Sequence, residues 1–349
     1  MPEMTKKERV MATVKGQPVD RVPVRFFGHN NCQVERDPNT LAAFLLAQIR
    51  WYDWDFVKIQ SRCYYLGEAW GCKYRWRFAC DRPEELEDYV IKSADDFGKL
   101  RRLDPTQGPF GEHVEVARLL HEALPDSVPY VHSTLNPLTA AAWLAGGFHV
   151  SWADTASEVN RIKQFMKESP EKLHQGLSVI AHTMADHARA MIRAGADGIF
   201  LSTMAWASRD TLTDKEYEIF SKPYDLMVLE AAVQEGATLN ILHICKDNIM
   251  FELLTDFPVQ VINWDAASPR NPSLKEVLSK TDKAVWGGVD QKVSLLEGPI
   301  DAITRDVHMA LEETGGRRFI LGPGCAIQPQ TPEAHLIAAK EALSTWQKG

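Results

Sequence analysis

The sequence predicts a single (β/α)8 barrel spanning residues 1–349, with an N-terminal helix and a long insertion after the second strand. Three observations carry this expectation. Eight short β-rich runs recur along the 349 residues, each followed by a helical pattern. A hydrophobic content of 45% beside 25% charged residues supplies the core of a large soluble domain. A polar or metal-ligating residue stands near the C-terminal end of every run, where barrel enzymes assemble their sites.

The elements follow in order. A helix near 4–16 precedes the first run, 22–27. The second run is 55–59, the third 130–134 and the fourth 198–202. The second half adds 240–244, 259–263, 284–288 and 318–322. The helix before the fourth run shows the pattern in full. Ser169-Pro170-Glu171 reads as N-cap, first-turn proline and acidic first turn. Leu173, Leu177, Ile180, Met184, Ala188 and Met191 then share one face, and Gly195 stops the helix. The insertion, about 61–127, carries Trp70, Tyr74, Trp76 and Phe78 among turn residues. It is expected to form a hairpin followed by helices, lying either over the C-terminal mouth or against the other end.

The net charge of −8 and the lack of a basic, aromatic-rich stretch argue against nucleic acid as a partner. No apolar run reaches membrane-spanning length, and the first residues lack a signal-peptide pattern. Six cysteines without a spacing framework do not suggest a disulfide scaffold. The expectation is a cytoplasmic protein with reduced thiols.

Those thiols matter at one place. His243 and Cys245 are two residues apart in a strand, so both side chains leave the same face. Cys325 follows the turn Gly322-Pro323-Gly324 at the end of the last run. One imidazole and two thiolates suit Zn²⁺ and leave a fourth position open, the catalytic rather than the structural arrangement. The competing reading is that each cysteine is a small buried hydrophobe. Because the fifth and eighth strands of a barrel are not neighbours, the loop carrying Cys325 must turn inward over the mouth. Gly322, Pro323 and Gly324 permit such a turn.

Other strand ends supply candidates. His29, Asp265 and Asp290 are placed as proton carriers or heteroatom polarisers, and Asp265 also as a fourth or transient ligand. Lys58, His132, Ser202, Trp264 and Lys246 are placed at the substrate. Lys58 is alternatively an ion-paired structural lysine and His132 a satisfied core histidine. Trp264 is one of five tryptophans near strand ends, with Trp143, Trp152, Trp206 and Trp286, that pack the core or line a pocket.

At these residues the chain resembles a known family. His243-x-Cys245 with Cys325 about eighty residues later is similar to the zinc site of cobamide-dependent methyltransferases related to uroporphyrinogen decarboxylase. Asp20-Arg21-Val22-Pro23-Val24 resembles the superfamily's opening. Gly287-Gly288-Val289-Asp290 and the stretch from Gly324 through Pro332 resemble its last two strands. The resemblance covers nearly the whole chain. It implies a (β/α)8 barrel, Zn²⁺ on His243, Cys245 and Cys325, and a corrinoid brought by a separate protein.

Two departures qualify it. The arginine-rich segment that grips tetrapyrrole carboxylates in the decarboxylases reads here Phe26-Phe27-Gly28-His29-Asn30-Asn31. The residue after the second ligand, usually Gly in the methyltransferases, is Lys246, which would pair with Asp247 or contact a substrate anion. The resulting expectation is methyl transfer between a heteroatom substrate and the cobalt of a corrinoid protein. The substrate would be a methoxylated aromatic, another methyl donor, or a thiol acceptor. The alternatives are a decarboxylase-like lyase and a non-catalytic binding protein in which zinc pins the closing loop.

Overall fold

The described residues form nine strands: β1 (Val57–Ile59), β2 (Lys73–Trp76), β3 (Pro83–Asp88), β4 (Tyr130–Leu135), β5 (Gly198–Ser202), β6 (Ile241–Ile244), β7 (Val261–Trp264), β8 (Ala284–Val289) and β9 (Phe319–Pro323). The computed structural model describes residues 2–28, 32–60, 62, 64–76, 83–124, 126–147 and 156–346. Seven strands form one parallel sheet in the order β1-β4-β5-β6-β7-β8-β9. Seven of the eight runs expected from sequence are therefore strands of one curled sheet.

The first run differs. Residues 22–27 form no named strand, but Val24 bridges Leu321 in parallel. Arg25 N–H donates to Leu321 O at 2.9 Å, and Asp55 N–H donates to Val24 O at 2.9 Å. The segment thus touches β9 on one side and the approach to β1 on the other. Pro23 accepts from Leu321 N–H but has no N–H to return, which keeps the ladder short.

The sheet has two buried faces. Its inner face packs Phe27, Phe56, Val131, Phe200, Ile241, Val261, Trp286 and Ile320 into one cluster. The outer face packs against helices in a larger layer that includes Val57, Ile199, Leu242, Ile262 and Leu321. Successive residues alternate between these layers, which fixes where every strand side chain points.

The N-terminal end of the inner cluster is stoppered. Helix Lys6–Val14 starts at a Thr5/Glu8 capping box and buries Val10 in that cluster. Arg9 reaches Asp55, just before β1, at 2.7 Å and Asp20 at 2.6 Å. At the other end lies the hairpin β2–β3. Tyr74 packs on Tyr64 with ring centroids 5.2 Å apart, and Tyr64 on Trp143 at 4.5 Å. Tyr64 follows β1, and Trp143 lies in helix Pro137–Leu144 after β4, so the hairpin sits on the C-terminal side. No described helix is long and apolar enough to cross a membrane.

Candidate active site

The register pairs Ser202 with His243 and His243 with Asn263. Since Ile241 and Val261 belong to the inner cluster, His243, Cys245 and Asn263 project from the same inner face. Cys325 arrives from beyond β9, the inward turn that the strand order demands. Gly324 is the reason the chain can pass. A Cβ there would lie 2.4 Å from Asp265 Cα and 2.9 Å from Trp264 O, both backbone. Gly324 N–H donates to Gln291 Oε1 at 3.0 Å, and Asn263 Nδ2 donates to Pro323 O at 3.0 Å. The loop is pinned from both sides.

The three ligand atoms converge within 4.8 Å of one another. Cys245 Sγ lies 3.8 Å from Cys325 Sγ, and Cys325 Sγ lies 3.6 Å from His243 Nε2. Zinc bonds of ~2.3 Å to sulfur and ~2.05 Å to nitrogen, at tetrahedral angles, require separations of about 3.8 and about 3.6 Å. These two separations match those of a tetrahedral metal site. The imidazole is also set in the ligand tautomer. Asn263 Nδ2 donates to two carbonyls, Trp286 O at 2.8 Å and Pro323 O, which fixes its Oδ1 as the acceptor facing His243 Nδ1 at 2.6 Å. The proton sits on Nδ1 and the lone pair on Nε2 faces Cys325. Between the thiols, Cys245 is held well below the ordinary range, first by the hydrogen bond from Cys325 and then by His243.

A cleft of about 230 Å³ opens on this cluster, lined by Cys245, Lys246, Asp265, Gln291, Lys292 and Cys325 among others. Asp265 is 5% exposed; its Oδ2 accepts from Gln291 Nε2 at 3.0 Å and meets Lys292 Nζ at 2.7 Å. Its Oδ1 has no partner among the described residues. On the far side of the 327–329 loop, a second cleft of about 300 Å³ is lined by Arg25, Phe27, Lys58 and Gln60 among others. Lys58 Nζ stands 4.8 Å over the Phe27 ring and 4.5 Å over the Phe200 ring, and bonds Gln60. Phe200 in turn stacks on His243 at 5.3 Å. Burial pushes Lys58 down to about 7, with the Arg25 charge adding to it, and pushes Arg25 down to about 9. Arg25 Nε has no partner among the described residues. A wider cleft of about 840 Å³ lies between 19–22, 51–54 and the last helix, and contains no ligand cluster.

The remaining candidates fall elsewhere. Ser202 is on the inner face beside His243, and its Oγ accepts from Met204 N–H at 3.2 Å. Lys246 lines the cleft with φ at +74°, the left-handed conformation that suits glycine, and its carbonyl accepts from Asn271 Nδ2 at 3.0 Å. Asp290 caps the turn after β8, with Oδ1 accepting from Lys292 N–H at 2.7 Å and Val293 N–H at 3.1 Å. Trp264 points outward, fully buried, and donates to Pro272 O at 2.9 Å. Trp286 belongs to the inner core. His132 also lies on the outer face, since its neighbour Val131 is in the inner cluster, so the structure does not bring it to the cleft. His29 and Trp152 lie outside the described residues. Asn263, Gln291 and Asn271, none of them a sequence candidate, hold the ligands and the two loops; the available signal was a polar Asn inside the apolar run Val261–Trp264.

His243, Cys245 and Cys325, which could hold a metal ion, thus meet at the C-terminal ends of a curled parallel sheet in an α/β fold. The chain belongs to the uroporphyrinogen decarboxylase (URO-D) family, whose profile matches residues 5–346. Among its relatives, a methylcobamide:CoM methyltransferase, MtaA, from Methanosarcina barkeri is 26% identical over 98% of this chain and 99% of its own length. MtbA from Methanosarcina acetivorans, named a methylcobamide:CoM methyltransferase, is 22% identical over 99% and 100%. A uroporphyrinogen decarboxylase from Parasynechococcus marenigrum is 28% identical but over only 70% of this chain and 65% of its own. The fold matches a methyltransferase from Methanosarcina mazei with a TM-score of 0.80, at 22% identity over 98% and 99% of the two chains.

Proposed function

We propose that this protein is a zinc-dependent methyltransferase that moves a methyl group between a heteroatom substrate and the cobalt of a separate corrinoid protein. The observation that carries the reading is the convergence of His243, Cys245 and Cys325, with both separations from the Cys325 thiol at tetrahedral values, beside an open cleft. The full-length likeness to two methylcobamide methyltransferases supports it. We read residues 22–27 as the eighth stave of a (β/α)8 barrel and the cytoplasm, where thiols stay reduced, as the working compartment.

Zinc, when bound, supplies a Lewis acid that stabilises negative charge on the departing or attacking heteroatom. The chain's residues do the rest. Asn263 orients His243, and Gln291 with Gly324 sets the loop that carries Cys325. Asp265, tied through Oδ2 to Lys292, presents Oδ1 as the atom to hold a proton at the cleft. Arg25 and Lys58, buried basic groups in the second cleft, with Lys58 over the Phe27 and Phe200 rings, favour a substrate with an anionic portion.

The test is partner dependence. The chain alone should leave a methylated thiol or methoxylated aromatic unchanged, and a corrinoid protein with reduced cobalt should switch turnover on. Methyl transfer at full rate without any corrinoid overturns the reading. A lyase reading would use the same two cations on a carboxylate-rich substrate; it requires that the zinc-free protein decarboxylate a porphyrinogen.

A further inference from the structure

A second set of ligands lies on the other face of the sheet, outside the site described above. His132 leaves the outer face of β4, His113 comes from helix Gly108–Ala123, and His187 from helix Pro170–Arg193. The rings crowd together, with centroids 5.0 Å apart for His113 and His132, 4.9 Å for His132 and His187, and 6.1 Å for His113 and His187. One ring nitrogen from each lies within 4.8 Å of the other two. We propose that these three histidines bind a second divalent metal, Zn²⁺ by ligand type, that pins two helices to the sheet.

Three observations support the site independently of the first. All three residues are 2% exposed or less. Both ring nitrogens of His113 and both of His132 are buried with no hydrogen-bond partner among the described residues. Four such atoms in an apolar layer are costly, and the ring packing supplies no hydrogen bond between the imidazoles to offset it. A core histidine kept only for packing is expected to spend at least one nitrogen on a neighbour, as His187 does. His187 Nε2 lies 3.2 Å from Phe110 O, which can only accept, so the proton is on Nε2 and Nδ1 offers its lone pair. That backbone contact is the arrangement that orients metal-bound histidines.

The chemistry of the pocket sets its class. Three imidazoles without a thiolate suit borderline divalent transition metals rather than Ca²⁺ or Mg²⁺. The Tyr65 ring stands edge-on to His113 at 4.7 Å and to His132 at 6.5 Å. The Tyr65 hydroxyl is bonded to Thr134 Oγ1 at 2.9 Å. No cleft described above reaches these residues, so the metal would link elements rather than meet substrate.

The test is stoichiometry with cobalt(II) as the probe, because thiolate-bound and imidazole-bound cobalt absorb differently. The stripped wild-type chain is expected to take up two equivalents. A Cys245→Ser/Cys325→Ser variant should keep one, without the sulfur-to-cobalt charge-transfer band. His187→Phe should lose one and keep that band. Adding cobalt to the Cys245→Ser/Cys325→Ser variant should also raise its melting temperature, a readout that needs no change to the histidines. A single equivalent in the wild type, all of it removed by the cysteine substitutions, overturns the proposal. So does a melting temperature of the cysteine variant that ignores cobalt.

Discussion

The molecule holds two clusters of three potential metal ligands on opposite faces of one sheet, and they are built differently. At His243, Cys245 and Cys325 the supporting bonds are complete: Asn263 fixes the imidazole, Gln291 holds Gly324, and a cleft gives access. At His113, His132 and His187 there is one supporting bond, to Phe110 O, and no cleft among those described. Proximity of ligands is common to both. The proposed division into a centre for turnover and a pin rests on the route to solvent and on the second layer of hydrogen bonds that sets orientation.

The largest expected effect breaks the open centre alone. Cys245→Ser or Cys325→Ser should remove its metal and abolish methyl transfer while the circular dichroism spectrum is unchanged, because neither side chain belongs to the inner or outer core cluster. Metal content at the wild-type level in both variants would sink the assignment.

Next comes the support. Asn263→Ala removes the bond to His243 Nδ1 and two bonds that pin β8 and the 323–325 loop. Metal affinity or activity should fall about 10- to 100-fold. A variant with wild-type zinc affinity and kcat would show that the second layer is idle.

Lys58→Ala is milder. The lysine lies beyond Phe200 from the imidazole, so it should act on substrate, raising KM about tenfold with kcat nearly kept. Equal loss in kcat and kcat/KM would place it in the transition state instead.

The smallest effect is a control away from both clusters. Asp225 is fully buried, and burial pushes it up to about 7 although Tyr217 and Ser221 donate to it. A raised carboxyl holds its proton in the fold, so stability falls as pH rises from the ordinary carboxylate range to about 7 and then levels. Asp225→Asn should therefore gain a few degrees in Tm at pH 8 relative to wild type, and much less at pH 4. Equal differences at both values would contradict this.

How far the sequence reached follows the same physics. Period two placed His243 and Cys245 on one face, and Gly324 marked the turn that brings Cys325 across, because only glycine clears the Asp265 backbone. The parity of His132 was not legible. Both faces of β4 are buried, so Tyr130–Leu135 carries no polar alternation to show which residues point inward. Residues 22–27 looked like a strand by composition, yet they pair through isolated bridges at Val24 and at the adjoining Gly28, with Pro23 lacking an N–H for the ladder. Asp290, expected as a mouth carboxylate, caps a turn through Oδ1, a local role that short-range sequence does not reveal. Asn263 and Gln291 act through other residues across strands, and such partners emerge only from register.

The central claim is that His243, Cys245 and Cys325 hold a zinc ion with one position open to substrate. Zinc-edge X-ray absorption, with and without a thiol or phenol substrate, tests it most directly. The account predicts sulfur neighbours at ~2.3 Å together with nitrogen, and a first shell that changes when substrate is added. It also predicts that this response is absent in His243→Ala. A first shell with no sulfur, or one that ignores every thiol and phenol while the wild-type protein is active, would contradict it.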